Sequence, residues 1–237
     1  DAGSADAGQD SVTTAPLPVT GPGPSPLTCP AGASMKKSGS SWIAHWCEKP
    51  NGQRHGPYRR WNNNGLLVQA SEHLNGQKHG QNITWDAFGN KVYESNWAHG
   101  ERHGLERRWY SDGAPLSSAS YLDGKPVGTH EGWFTNGAIQ WRRFYENGQP
   151  VGQWRQWFVD GVLFFETTYE DGLRQGTERR WWPSGSKRRH TQYNKGKREG
   201  ADAGWYEDGG KQYLRIYKNN APDGTWESWY PSGAKQT

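Results

Sequence analysis

Candidate chemistry in this chain rests on eight histidines, two cysteines and a set of turn-associated carboxylates and serines. Their spacing argues against catalysis. His55, His79 and His103 recur at intervals of 24 residues. If that interval is one hairpin of a sheet, neighbouring imidazoles sit about 10 Å apart. A metal ion that binds histidine nitrogen at about 2 Å cannot bridge that gap, so the three read as a solvated loop ladder. His73 falls in a different row and reads as packed. Cys29 and Cys47 lack the Cys-x-x-Cys companion of a zinc site. Asp112, Asp160 and Asp208 precede glycines, and Ser184 and Ser232 sit in Pro-Ser-Gly triplets; turn chemistry explains both placements. Asn82-Ile83-Thr84 is an isolated glycosylation sequon. No phosphate loop or nucleophile elbow occurs in the sequence. The expectation is a non-enzyme with no metal and no cofactor.

The elements that carry these residues are set by a tandem repeat. Trp61, Trp85, Trp109, Trp133, Trp157, Trp181, Trp205 and Trp229 follow one another at 24 residues without a slip. A glycine stands four residues after each and another five residues before, as in Gly161 and Gly152 around Trp157. A further row reads His73, Trp97, Tyr121, Tyr145, Tyr169, Tyr193 and Tyr217. Seven full units and one truncated unit result.

Composition agrees with a repeat array whose core is aromatic. Of 237 residues only 32% are hydrophobic, yet 14% are aromatic, including 15 Trp and 11 Tyr. The 32 glycines disfavour helices. Each unit reads as a β-hairpin: an extended stretch such as Gly104–Tyr110, a turn marked by Asn-Gly or Asp-Gly, and a return strand such as Leu163–Tyr169. A Gly-x-x-x-Gly loop, as at Gly172–Gly176, then reverses the chain. Hairpins stacked in order predict an all-β, elongated antiparallel meander in a single twisted sheet. A three-residue turn with a glycine bulge is expected to gather Trp157, Phe165 and Tyr169 onto one face. The Trp row, with Tyr121, Tyr145, Tyr169, Tyr193 and Tyr217, is thus expected to be structural.

The pattern Tyr-x-x-Gly-x-x-x-Gly-x-x-x-x-Trp-Tyr-x-x-Gly, seen at Tyr121–Gly124 and from Gly104 to Gly113, resembles the MORN repeat, in particular the bacterial variant of YwqK-family antitoxins. The likeness runs from about Trp42 to Thr237. It implies hairpin arrays that serve as scaffolds, partner-binding surfaces, lipid contacts or toxin neutralisers.

The N-terminal part departs from that family. Residues 1–28 are a Pro/Gly/Ser/Ala-rich stretch without periodicity, expected to be a flexible tether of an exported protein. Residues 29–50 are expected to form a cap and half-repeat closed by a Cys29–Cys47 disulfide, with the repeats over 51–237. This points to an extracytoplasmic protein in the periplasm, on an outer-membrane lipoprotein anchor or at the cell surface, rather than to an antitoxin inside the cell. The net charge of +4 is small, and Arg107-Arg108, Arg142-Arg143 and Arg179-Arg180 are interleaved with acids, so cross-strand pairing on a solvated face is preferred over nucleic-acid binding. Trp141, Trp154, Phe165, Trp182, Arg179, Arg180, Trp226 and Trp229 are candidates for partner binding. The leading expectation is a noncatalytic binding or assembly module for a protein, a polysaccharide or an anionic lipid surface. An antitoxin or immunity protein is second and a cell-wall-polymer enzyme third. The last strand, Thr225–Tyr230, lacks an evident partner, so its edge is expected to support a homodimer or an added strand.

Overall fold

The computed structural model describes residues 26–39, 42–224 and 226–236. The expected tether lies almost wholly outside them. Among the described residues eighteen strands form one sheet. The cap supplies β1 (Ser34–Ser38) and β2 (Ile43–Glu48). The repeats supply β3 (Arg54–Trp61), β4 (Leu67–Leu74), β5 (Gln77–Trp85), β6 (Lys91–Ala98), β7 (Glu101–Trp109) and β8 (Pro115–Leu122). They continue as β9 (Lys125–Trp133), β10 (Ile139–Glu146), β11 (Gln149–Trp157), β12 (Leu163–Glu170), β13 (Leu173–Trp181) and β14 (Lys187–Asn194). The array ends in β15 (Lys197–Trp205), β16 (Lys211–Lys218), β17 (Ala221–Pro222) and β18 (Glu227–Ser228). Each strand from β1 to β16 pairs antiparallel with the next, and β16 pairs with both short terminal strands. The fold is the expected all-β meander.

Two kinds of turn alternate, and the glycine rows divide the work differently from the sequence reading. At the Asp160-Gly161 end, the Phe158 N–H donates to the Val162 carbonyl at 2.8 Å and the Gly161 N–H to the Phe158 carbonyl at 3.0 Å. This is a three-residue loop with Gly161 at φ +86°. At the other end the chain reverses in two residues. Asp171 (φ 47°) and Gly172 (φ 78°) both take positive φ, the signature of a type I′ turn. The expected Gly172–Gly176 loop is therefore a tight turn, and Gly176 lies inside β13 at a bulge.

A second irregularity decides the faces. The three-residue loop alone would align Trp157 with Phe165 and Tyr169. In every repeat hairpin from β3/β4 to β15/β16, however, the register shifts by one residue just beyond the loop: Trp157 faces Leu163, but Gln156 faces Phe165. Phe164 is the extra residue of a β-bulge. Side chains alternate along β11, so Trp157 points to one face, while Trp154, Gln156, Phe165 and Tyr169 point to the other. The expectation of a shared aromatic face is corrected: one face carries the Trp row, the other the Tyr row. Each covers one side of a sheet against which, among the described residues, no second layer packs.

Packing on the tyrosine face centres on small residues. Ser71, Ser95, Thr167 and Thr191 are almost completely buried and share one row. On the other face Trp61 and Trp85 are buried, while the later Trp-row residues are half-buried.

The ends are closed. Cys29 is bonded to Cys47, which holds the N-terminal loop where Pro30 lies over Gly56. The additional strand β1 pairs with β2 and was not legible in the sequence. At the C-terminus the tail folds back: the Tyr230 N–H donates to Ala234, the Gln236 N–H donates to Ser228, and Lys235 pairs with Glu227 at 2.6 Å. The edge expected to stand open for association is covered over those residues.

Candidate partner-binding face

On the tyrosine face, a position near the middle of the odd-numbered strands from β3 to β15 varies from repeat to repeat. It reads Tyr58, Asn82, Glu106, His130, Trp154, Glu178 and Asp202, and Trp226 follows at the same interval just before β18. What fills it sets the local chemistry. Glu106 is buried and receives the Tyr93 hydroxyl at 2.9 Å, with Arg102 and Arg108 at 3.5 and 3.3 Å. Three repeats later Glu178 is buried in the same way between Arg174 and Arg180, at 3.0 and 3.1 Å. Asp202 accepts both nitrogens of Arg189 at 2.8 Å and the Thr191 hydroxyl at 3.0 Å. The Asp202 carboxylate holds the Arg189 guanidinium firmly protonated by hydrogen bonding, against the cost of its burial. Glu106 and Glu178 were expected to pair on a solvated face; they and Asp202 are instead buried anchors, with the Tyr93 hydroxyl on Glu106 and the Tyr213 hydroxyl beside Asp202.

Between the two glutamate clusters the same position holds His130 and Trp154, and the rings fuse into one ribbon. Tyr121 and His130 have centroids 5.4 Å apart, His130 and Tyr145 4.6 Å, Tyr145 and Trp154 5.1 Å, and Trp154 and Tyr169 4.6 Å. Tilts of 45° to 57° suit the ring quadrupoles. The Trp154 indole N–H donates to the Phe144 carbonyl at 3.1 Å. Arg143 lies over Trp141 and Trp154 at 4.7 and 5.3 Å. Burial holds the His130 imidazole below its usual pKa, and burial raises the Tyr169 phenol.

Cations cap the Tyr row elsewhere. Lys78 lies over Trp97 at 4.6 Å, Arg102 over Tyr121 at 4.9 Å, Arg174 over Tyr193 at 4.2 Å and Arg198 over Tyr217 at 3.9 Å. All come from one repeat position. In two consecutive repeats that position is Pro126 and Pro150. Among the described residues no cation lies over Tyr145 or Tyr169.

The residues singled out in the sequence divide between the faces. Trp141, Trp154, Phe165, Arg180 and Trp226 share the tyrosine face, where Trp226 is 46% exposed beneath Arg215. Trp141 lies flat over Gly132, where no Cβ obstructs it. Trp182 donates to the Trp205 carbonyl at 3.2 Å and lines a shallow cleft of about 320 Å³ with Arg180, Arg188 and Tyr213. Arg179 lies on the opposite face, bonded to Glu166 at 3.2 Å, and Trp229 lies there under Lys211. The sequence reading took Arg143 only as half of the Arg142-Arg143 pair and did not single out His130 or the two prolines. For Arg143 and the prolines a signal was available: from position 71 to 191 Arg143 interrupts a row of Ser, Ala and Thr, and from 54 to 198 the prolines interrupt a row of Arg and Lys.

The histidine ladder has a local structural role. The Nδ1 atoms of His55 and His79 accept the N–H groups of Asn75 and His99 at 3.3 and 3.5 Å, and His103 meets Asp123 at 3.1 Å. Each imidazole caps the tight turn of the following repeat. Among the described residues no cluster of three or more His, Cys, Asp or Glu is arranged to hold a metal. Asn82 of the sequon is buried against Ser95, which removes it as a glycan acceptor in the folded chain.

Comparison of the sequence with protein-family models and with curated proteins found no match.

Proposed function

We propose that this protein is a noncatalytic binding module that presents its tyrosine face to a partner outside the cytoplasm. The observation that carries this reading is the ribbon from Tyr121 to Tyr169: five rings in mutual contact on one face of the sheet, the buried His130 and four half-buried rings around it. Rings held on paired strands lose little freedom on binding, which is the advantage of a preorganised interface. The buried carboxylates on either side are already neutralised by arginines, so they hold the surface rather than act as acids or bases. The Cys29–Cys47 disulfide supports an oxidising compartment, and the resemblance to MORN repeats supports a scaffold or partner-binding role.

The test is capture from a cell-envelope fraction by the intact protein and by a Tyr145→Ala/Trp154→Ala variant, with bound material identified chemically. Material retained by the first and lost by the second supports the reading. Identical capture by both, with the variant still folded by circular dichroism, removes the ribbon as the binding surface.

A further inference from the structure

We infer that the ribbon binds a linear, uncharged β-linked glycan laid across the strands. The inference rests on the binding-module reading and names its ligand class. Three features select this ligand.

The first is spacing. Tyr121, Tyr145 and Tyr169 stand in one row, one repeat apart, and one repeat is two strands, about 10 Å. That advance is close to the length of a β-1,4-linked disaccharide, in which every second ring presents the same face. Tyr145 and Tyr169, over which no cation lies among the described residues, can thus meet equivalent sugars, with Trp154 between them.

The second is charge. Wherever the Tyr row is capped by Lys or Arg, the ring face is occupied. At Tyr145 and Tyr169 the capping position is Pro126 or Pro150, and among the described residues no cation lies over either half-buried ring. The weakly polar C–H face of a pyranose suits a bare aromatic ring. Phosphate-rich polymers need several unpaired cations. On the ribbon Arg143 stands alone over Trp141 and Trp154, and the nearby arginines 102, 108, 174 and 180 are tied to Glu106 and Glu178.

The third is extent. The uncapped part of the ribbon, Tyr145 to Tyr169, spans two strand spacings, about 10 Å, between Arg102 over Tyr121 on one side and the Arg174–Glu178 cluster on the other. That fits about one disaccharide and predicts that affinity rises with chain length and levels off beyond about three sugars.

The test is titration of the full chain with chitohexaose and cellohexaose, read by calorimetry and tryptophan fluorescence, with maltohexaose as a control of different shape. A Pro126→Arg/Pro150→Arg variant installs the caps that other repeats already carry, so the fold tolerates them. Binding of at least one β-1,4 hexasaccharide, with maltohexaose weaker and a loss of at least about tenfold in the double arginine variant, supports the inference. Equal affinity of wild type and double arginine variant overturns it, as does no binding of either β-1,4 hexasaccharide by the folded wild type. In that second case, envelope capture that Tyr145→Ala/Trp154→Ala abolishes would leave the binding module standing and the glycan refuted; unchanged capture would refute both.

Discussion

At the residue scale, the same residue type carries different weight on the two ends and faces. Trp85 is 7% exposed and Trp226 is 46% exposed. Trp85→Ala should cost about 3–5 kcal/mol in denaturant unfolding, and Trp226→Ala about 1 kcal/mol or less. Trp154 belongs with the first group rather than with exposed aromatics, because Tyr145, Tyr169 and the Phe144 carbonyl hold it. His73 is the Tyr-row member that titrates. Burial, then the nearby charges of Arg54 and Lys78, lower its pKa from 6.5 to about 4. The folded state thus resists a proton that the unfolded chain accepts. The favourable contribution is complete above about pH 6.5 and is lost as pH falls through about 4. Melting temperatures measured from pH 7 to pH 4 should fall less in His73→Tyr, which carries the residue of five other repeats, than in the wild type.

At the element scale, the hairpins depend on two conformational requirements that the repeat meets with glycine. The second residue of the tight turn, Gly172, sits at φ +78°, and Gly172→Ala should destabilise the array by about 1–2 kcal/mol. Urea titration checks the value; no change would mean that the turn has another accessible form. Gly132 has a different reason to be glycine. Its φ is ordinary, but Trp141 occupies the space of a Cβ, an aromatic ring covering a glycine across the strand pair. The bulge at Phe164 decides the faces, since it turns Tyr169 to the side of the sheet away from Trp157.

At the scale of the whole molecule, strands pair with their neighbours along the sheet and bonds such as that of Trp182 to the Trp205 carbonyl reach one strand further, so stability is approximately a sum of repeat and nearest-neighbour interface contributions. The disulfide spans 18 positions and in the loop-closure description contributes about 3 kcal/mol. Because contacts do not cross the array, that contribution is local. Reduction should raise hydrogen exchange in β1 to β3 and leave β13 to β16 unchanged, measured by mass spectrometry on the same sample with and without reductant. A uniform rise along the chain would contradict the nearest-neighbour description.

The 24-residue period, the hairpins and the meander follow from the sequence, because turn glycines and aromatic rows recur at fixed positions and local geometry forces the chain to reverse. The disulfide partners were also legible, since only two cysteines exist. Facing was not. One extra residue beside the loop inverts every side chain after it, and a bulge of that kind has no residue signature of its own; Phe164 and Val68 occupy equivalent places. The ribbon was hidden for the same reason: Tyr145, Trp154 and Tyr169 become neighbours only when the register brings their strands' alternation into phase. Burial of Glu106, Glu178 and Asp202 likewise came from the tertiary arrangement, in which rings from adjacent strands close over carboxylates whose arginine partners already satisfy them.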